Sequence, residues 1–192
     1  LHQPKAGNIC VDGITITEEY LGDFRRSVGY VPQSPLLFDT TIVDNIALPS
    51  DEGIVDIGRV MEVAKKASIH DEISTMSDGY DTVLGRGGVK LSGGQIQRIA
   101  IARELYRAPK VLILDEATSA LDYVAERNIH KTIGMLRGSM TIIIVAHRLN
   151  TLWDTDQIFV FKNGNVVESG NFAMLTDRLD SEFNNILKRA IV

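Results

Sequence analysis

Four uninterrupted apolar residues run straight into two acids at Val111-Leu112-Ile113-Leu114-Asp115-Glu116, and this constrains the chain more than any other feature. A short run without alternation reads as a strand buried on both faces. A second such run, Thr141 to Val145, leads into Ala146-His147. Strands and helices alternate around these two. Asn8 to Asp12 predicts a short strand closed by Gly13, Leu21 to Ser27 a helix, and Val28 to Val31 a strand stopped by Pro32. Ile57, Val60, Met61 and Ala64 recur at helical spacing. Gly79 to Lys90 holds four glycines and reads as loop. Ser92 suits the N-cap of a helix through Ile96, Ile99 and Ala100. Arg103 and Arg107 fall toward the end of that helix, where cations are favoured. Ala125 to Leu136 predicts a helix with Ile129, Ile133 and Leu136 on one side. Asn163-Gly164 between Gln157–Phe161 and Asn165–Glu168 is a hairpin signal, and Ser181 to Ala190 reads as a closing amphipathic helix. The alternation predicts an α/β domain with a largely parallel sheet and a mostly helical stretch, 46–108, set between the sheet halves.

A chain of 192 residues is long enough for one domain with a sizeable core. Its net charge of −5 gives no sequence-independent attraction to nucleic acid. No apolar run approaches the roughly 20 residues that span a bilayer, and no secretory signal is visible. Cys10, the single cysteine, cannot form an internal disulfide, which suits a reducing compartment. It reads as a small core residue, and Trp153 as packing under the last strand. His2, His70 and His130 lack metal-ligand spacing and read as surface residues. No Ser-His-Asp or Cys-His nucleophile set is present.

The chemistry concentrates in two places. A buried strand delivers Asp115 and Glu116 to the carboxyl edge of a sheet, where open α/β folds bind ligands. Adjacent strand residues point opposite ways, so the two acids suit separate tasks. Asp115 fits a Mg²⁺ partner, since such sites combine one or two carboxylates with phosphate oxygens. Glu116 fits a base or orienter for an attacking water. Taken alone, the pair reads equally well as solvated acids at a strand end. The second place is Leu91-Ser92-Gly93-Gly94-Gln95, where a hydroxyl and backbone N–H groups stand at a helix start that favours an anion. Its bland alternative is a glycine-rich helix cap.

Ala117-Thr118-Ser119-Ala120-Leu121-Asp122 directly follows the acids. With Val31-Pro32-Gln33 and Leu91 to Gln95 before it and His147 after it, the chain resembles the ABC ATPase family from about Gly7 to about Leu175. The resemblance implies a P-loop NTPase (RecA-like) α/β fold with an inserted α-helical subdomain: 1–45 and 109–192 would form the ATPase core and 46–108 the helical signature subdomain. It implies ATP and Mg²⁺ as cofactors. Gln33 would reach the metal and the attacking water. Asp115 would be the metal aspartate, Glu116 the base, and His147 the contact to the γ-phosphate. Ser92, Gly93, Gly94 and Gln95 would form the signature that faces nucleotide, and Asp122 would couple two protomers. The implied partners are a second nucleotide-binding domain, met head to tail, and a transmembrane domain fused upstream. The transmembrane domain would place the chain on the cytoplasmic face of a membrane, plasma or inner.

Leu36 to Ile46 and Asp78 to Gly88 resemble the exporter branch, although an acidic residue commonly stands where Arg86 stands here. Asn45 to Leu48 and Val89-Lys90 resemble lipid-linked saccharide flippases. No G-x-x-x-x-G-K-[ST] phosphate loop occurs in the sequence. The first strands and that loop read as missing by truncation, and the fragment alone as inactive. Two alternatives remain: a soluble, non-transport ABC ATPase and a non-catalytic ABC binding module. A chromosome-maintenance ATPase would need a long coiled coil, against which the short 46–108 region argues.

Overall fold

The computed structural model describes residues 4–48, 54–85, 87–117, 123–146, 149–178 and 180–190, which fall into two compact units, 1–145 and 146–192. The first opens with a hairpin, β1 (Cys10–Val11) pairing antiparallel with β2 (Ile14–Thr15). Asp12 and Gly13 make the turn at φ 50° and 78°. Asp-Gly is a preferred pair for such two-residue turns, so the strand expected to end at Gly13 continues as a hairpin. Cys10 is exposed, with its sulfur 3.5 Å from the Thr15 hydroxyl. A two-residue strand has no layer over it there, which corrects the core assignment.

Helix α1 (Glu18–Ser27) has acids in its first turn and arginines in its last, matching its dipole. It leads into β3 (Val28–Val31). Four helices follow before the next strand: α2 (Ile42–Ala47), α3 (Ile57–Lys66), α4 (His70–Ser74) and α5 (Gly93–Tyr106). Side chains cap three of them, Thr41 on α2, Asp56 on α3 and Ser92 on α5. Then come β4 (Val111–Asp115), α6 (Tyr123–Leu136) and β5 (Thr141–Val145). The three strands form a parallel sheet with β4 central, and Val31, Leu114 and Ile144 stand in register. The α/β class, the parallel sheet and the helical insertion expected from sequence are all present.

Val31, Leu112 and Leu114 from one face of this sheet pack with Ile42 and Ile46 of α2, Val60 and Ala64 of α3, Ile99 and Ile101 of α5, and Ile129 of α6. The other face differs from expectation: Tyr30, Ile143 and Val145 are each nearly half exposed. Among the described residues the helices that build the core gather on one face. Unbroken apolarity in β4 and β5 therefore does not mean burial on both. The buried stripe of α3 is Val60, Val63 and Ala64, while Ile57 and Met61 point outward.

The second unit is built on β6 (Ile158–Lys162) and β7 (Asn165–Gly170), antiparallel across Asn163 and Gly164, both at positive φ. Helix α7 (Phe172–Thr176) is capped by Asn171. Helix α8 (Glu182–Ala190) has its first amides, those of Glu182 and Phe183, bound by the Glu168 carboxylate at 2.7 and 3.1 Å. Ile158, Val160, Leu175 and Phe183 form a separate small core. Trp153 is mostly exposed and meets Phe172 edge-on at 6.3 Å, so it does not lie under a strand.

Candidate functional site

Parallel pairing puts the carboxyl ends of β3 and β4 side by side. Pro32 stops β3, and the Gln33 amide turns to donate a 2.8 Å hydrogen bond to the Glu116 carboxylate. Glu116 itself is not extended. Its φ is 49°, and its N–H donates to the Val145 carbonyl at 3.0 Å. A non-glycine residue in this region costs about 1–2 kcal/mol, so the alternation argument for the two acids stops at Asp115. What separates them is the left-handed turn at Glu116.

Asp115 lies on the open face of the sheet. Tyr30, on the same face of β3, donates its hydroxyl to Asp115 Oδ2 at 2.7 Å. That hydrogen bond first, then burial and the carboxylate charge, hold the phenol less acidic than an ordinary tyrosine. Tyr30 was not legible as a site residue because strand register decides which side chain faces Asp115. Among the described residues no group of three or more His, Cys, Asp or Glu forms a metal cage. Mg²⁺ at a phosphate site does not need one. The Asp115 carboxylate and the Gln33 amide carbonyl are hard oxygen donors of the kind that ion takes, so the residues fit it.

The signature residues form a second constellation at the start of α5. Ser92 and Gln95 close a capping box: the Ser92 hydroxyl accepts from the Gln95 N–H at 3.3 Å, and Gln95 Oε1 accepts from the Ser92 N–H at 2.8 Å. Gln95 Nε2 donates to Glu72 of α4 at 2.9 Å. In this structure both ends of the Gln95 amide are therefore engaged within the chain. Ser92 and Gly93 are exposed, whereas Gly94 is buried where a Cβ would overlap that of Ala125 on α6. The smallness of Gly94 thus serves helix packing as well as any backbone approach by a ligand.

Helix α5 also grips the segment after β3. Buried Gln97 donates to the Pro32 carbonyl at 3.3 Å. Arg103 donates to the Asn45 carbonyl at 2.7 Å, to Asn45 Oδ1 at 3.1 Å and to the Leu36 carbonyl at 2.9 Å, and lies over the Phe38 ring. Asn45 is fully buried and bonds the backbone of Phe38, Thr40 and Thr41. The sequence showed Arg103 only as a cation near a helix end. Its partners come from 58 and 67 residues away. His147, Asp122 and Arg86 lie outside the described residues.

The ABC transporter family model matches residues 1–119. The chain is 43% identical over 188 residues to P-glycoprotein 14 of Caenorhabditis elegans, covering 98% of itself and 14% of that protein. It is 45% identical over 174 residues to ABC transporter B family member 22 of Arabidopsis thaliana, covering 91% of itself and 14% of that protein. A bacterial Atm1-family ABC exporter with ATP bound superposes with a TM-score of 0.85 at 39% identity, covering 100% of this chain and 33% of that one. The chain thus spans about a seventh of these curated relatives. The strand that ends in Asp115 and turns at Glu116, the capped signature helix, the match to the family model and the superposition agree: the chain belongs to the ABC transporter family.

Proposed function

We propose that this chain is the larger part of the ATP-binding and ATP-hydrolysing domain of an ABC exporter. The observation that carries the reading is the 2.8 Å contact between Gln33 and Glu116 at the carboxyl edge of the parallel sheet, beside Asp115. Phosphoryl transfer needs positioning and charge neutralisation more than covalent help. Glu116 would take or orient the proton of an attacking water, and Gln33 would hold Glu116 and that water in line. Mg²⁺, when bound, would be held by Asp115 and Gln33 and would neutralise charge on the phosphates. His147 would contact the γ-phosphate.

Ser92, Gly93, Gly94 and Gln95 would meet a nucleotide held by a second nucleotide-binding domain, arranged head to tail, with Asp122 at the seam between the two. In this reading 1–45 and 109–192 act as the ATPase core and 46–108 as the signature subdomain. A transmembrane domain fused upstream would hold the assembly at the cytoplasmic face of a membrane and move the cargo, a lipid-linked saccharide being one class. No helix among the described residues is long and apolar enough to cross a membrane. Taken by itself, a stretch of sequence without a phosphate loop would hydrolyse little ATP, while its signature would still complete the site of another domain.

The test is sedimentation of the chain with a full-length exporter nucleotide-binding domain arrested in catalysis. An ATP-dependent mixed species is expected, and Ser92→Arg is expected to weaken it by placing bulk and charge at the phosphate-facing turn. A folded chain that forms no such species overturns the proposal.

A further inference from the structure

The signature turn is held from behind by a carboxylate outside it. Glu72 of α4 accepts from Arg98 Nη1 at 2.7 Å through one oxygen and from Gln95 Nε2 at 2.9 Å through the other. Arg98, with a side chain only 4% exposed, also donates to the Gly94 carbonyl at 3.2 Å and to the Ser68 carbonyl. We propose that Glu72 is a positioning residue for the signature: by taking Gln95 Nε2 and Arg98 together, it fixes the Gln95 amide in the one orientation that closes the Ser92 cap.

A glutamine amide has an oxygen that only accepts and a nitrogen that donates. The Ser92 N–H needs the oxygen end. An ionised carboxylate only accepts, so Glu72 needs the nitrogen end. A flipped Gln95 would set two acceptors together at Glu72 and two donors together at Ser92. Glu72 therefore selects the amide orientation, and the capping box depends on a residue 20 positions before it. Arg98 matters for charge. A bare carboxylate this close to a helix start would repel an anion there, whereas one paired with a buried guanidinium leaves the partial positive charge of the helix start in place. Burial works to raise the pKa of Glu72, but the hydrogen bonds from Arg98 and Gln95 outweigh it, hold the carboxyl below its ordinary value and keep the group ionised.

This inference rests on the reading that the start of α5 meets a phosphate, but its test needs no nucleotide. Proton exchange is measured by NMR on the whole chain at the Gln95 side-chain amide and the Ser92 backbone N–H. In the unaltered chain the Gln95 Nε2 protons are expected to exchange more slowly than those of a free glutamine amide. Glu72→Ala is expected to speed exchange at both sites about three- to tenfold, the size of one lost hydrogen bond. Glu72→Gln, which keeps an acceptor oxygen, is expected to restore most of the protection. Two results overturn the proposal: free-amide exchange at Gln95 in the unaltered chain, or unchanged Ser92 protection in a folded Glu72→Ala chain. The first needs no variant, so a folding defect cannot hide it. Failure of nucleotide to approach Ser92 would instead overturn the functional reading and leave the role of Glu72 intact.

Discussion

Gly94 of α5 lies against Ala125 of α6 so closely that a Cβ on the glycine would overlap the alanine methyl group. In a helix, glycine to alanine is ordinarily favourable by about 1 kcal/mol. Here overpacking between two helices reverses the sign. Gly94→Ala is expected to lower stability by about 1–3 kcal/mol in urea unfolding. Gly94→Ala with Ala125→Gly is expected to recover part of that loss, giving a coupling energy that separates packing from propensity. A neutral or stabilising Gly94→Ala would show that the two helices part easily.

Within a full-length protein that carries this chain, Glu116→Gln is expected to slow turnover by roughly 10²–10⁴-fold while nucleotide is retained. Asp115→Asn is expected to weaken Mg²⁺ dependence and nucleotide retention together. Turnover measured beside nucleotide occupancy separates the two acids. Near-normal turnover in Glu116→Gln would remove Glu116 from the role of base.

Glu104, on the inner side of α5, sets a pH dependence. Burial raises its pKa above the ordinary 4.5, only partly offset by Arg107, the Tyr30 backbone N–H and Arg103. The folded state therefore binds its proton more tightly than the unfolded state does. The contribution of Glu104 to folding is thus fully present below about pH 4.5 and is lost as pH rises through the raised pKa. Glu104→Gln is expected to raise the unfolding midpoint at pH 7 more than at pH 4. Equal midpoints at both pH values, or a loss at neutral pH, would contradict this.

Arg103→Lys is not a conservative change where one guanidinium serves three acceptors. Lysine cannot reach the Leu36 carbonyl and both Asn45 oxygens together, and an acceptor left buried without a donor costs about 1–3 kcal/mol. Hydrogen exchange is expected to rise across 36–45 while α6 stays protected. Uniform loss of protection would instead mean general destabilisation.

Strands β3 and β5 and the helix start at Ser92 were legible to the residue, and β4 to within one, because punctuation is local: Pro32 ends one strand, and Ser92 with Gln95 spells a cap. The Asn163-Gly164 hairpin was legible for the same reason. The three short helices α2, α4 and α7 were not individually visible. Helices of five or six residues are too short to stand by propensity and form on tertiary contacts. The acids of the site could be read from their strand, but the Tyr30 contact to Asp115 and the Glu72 contact to Gln95 depend on register and helix placement. The open face of the sheet was misread because an apolar run reports composition and not cover.

Gln97 and Arg103 make α5 a lever with unequal arms. At 1.5 Å of rise per residue, Gln97 stands about 6 Å and Arg103 about 15 Å from the first residue of the helix. Were the helix to tilt about its start by about 10°, Gln97 would move by about 1 Å and Arg103 by about 2.6 Å. The first displacement is passed to the Pro32 carbonyl, next to Gln33, and the second to Leu36 and Asn45. A push on the exposed Leu36 side of the loop would thus reach Gln33 geared down by more than half. On that geometry a coarse movement at the surface would become a fine adjustment beside Glu116.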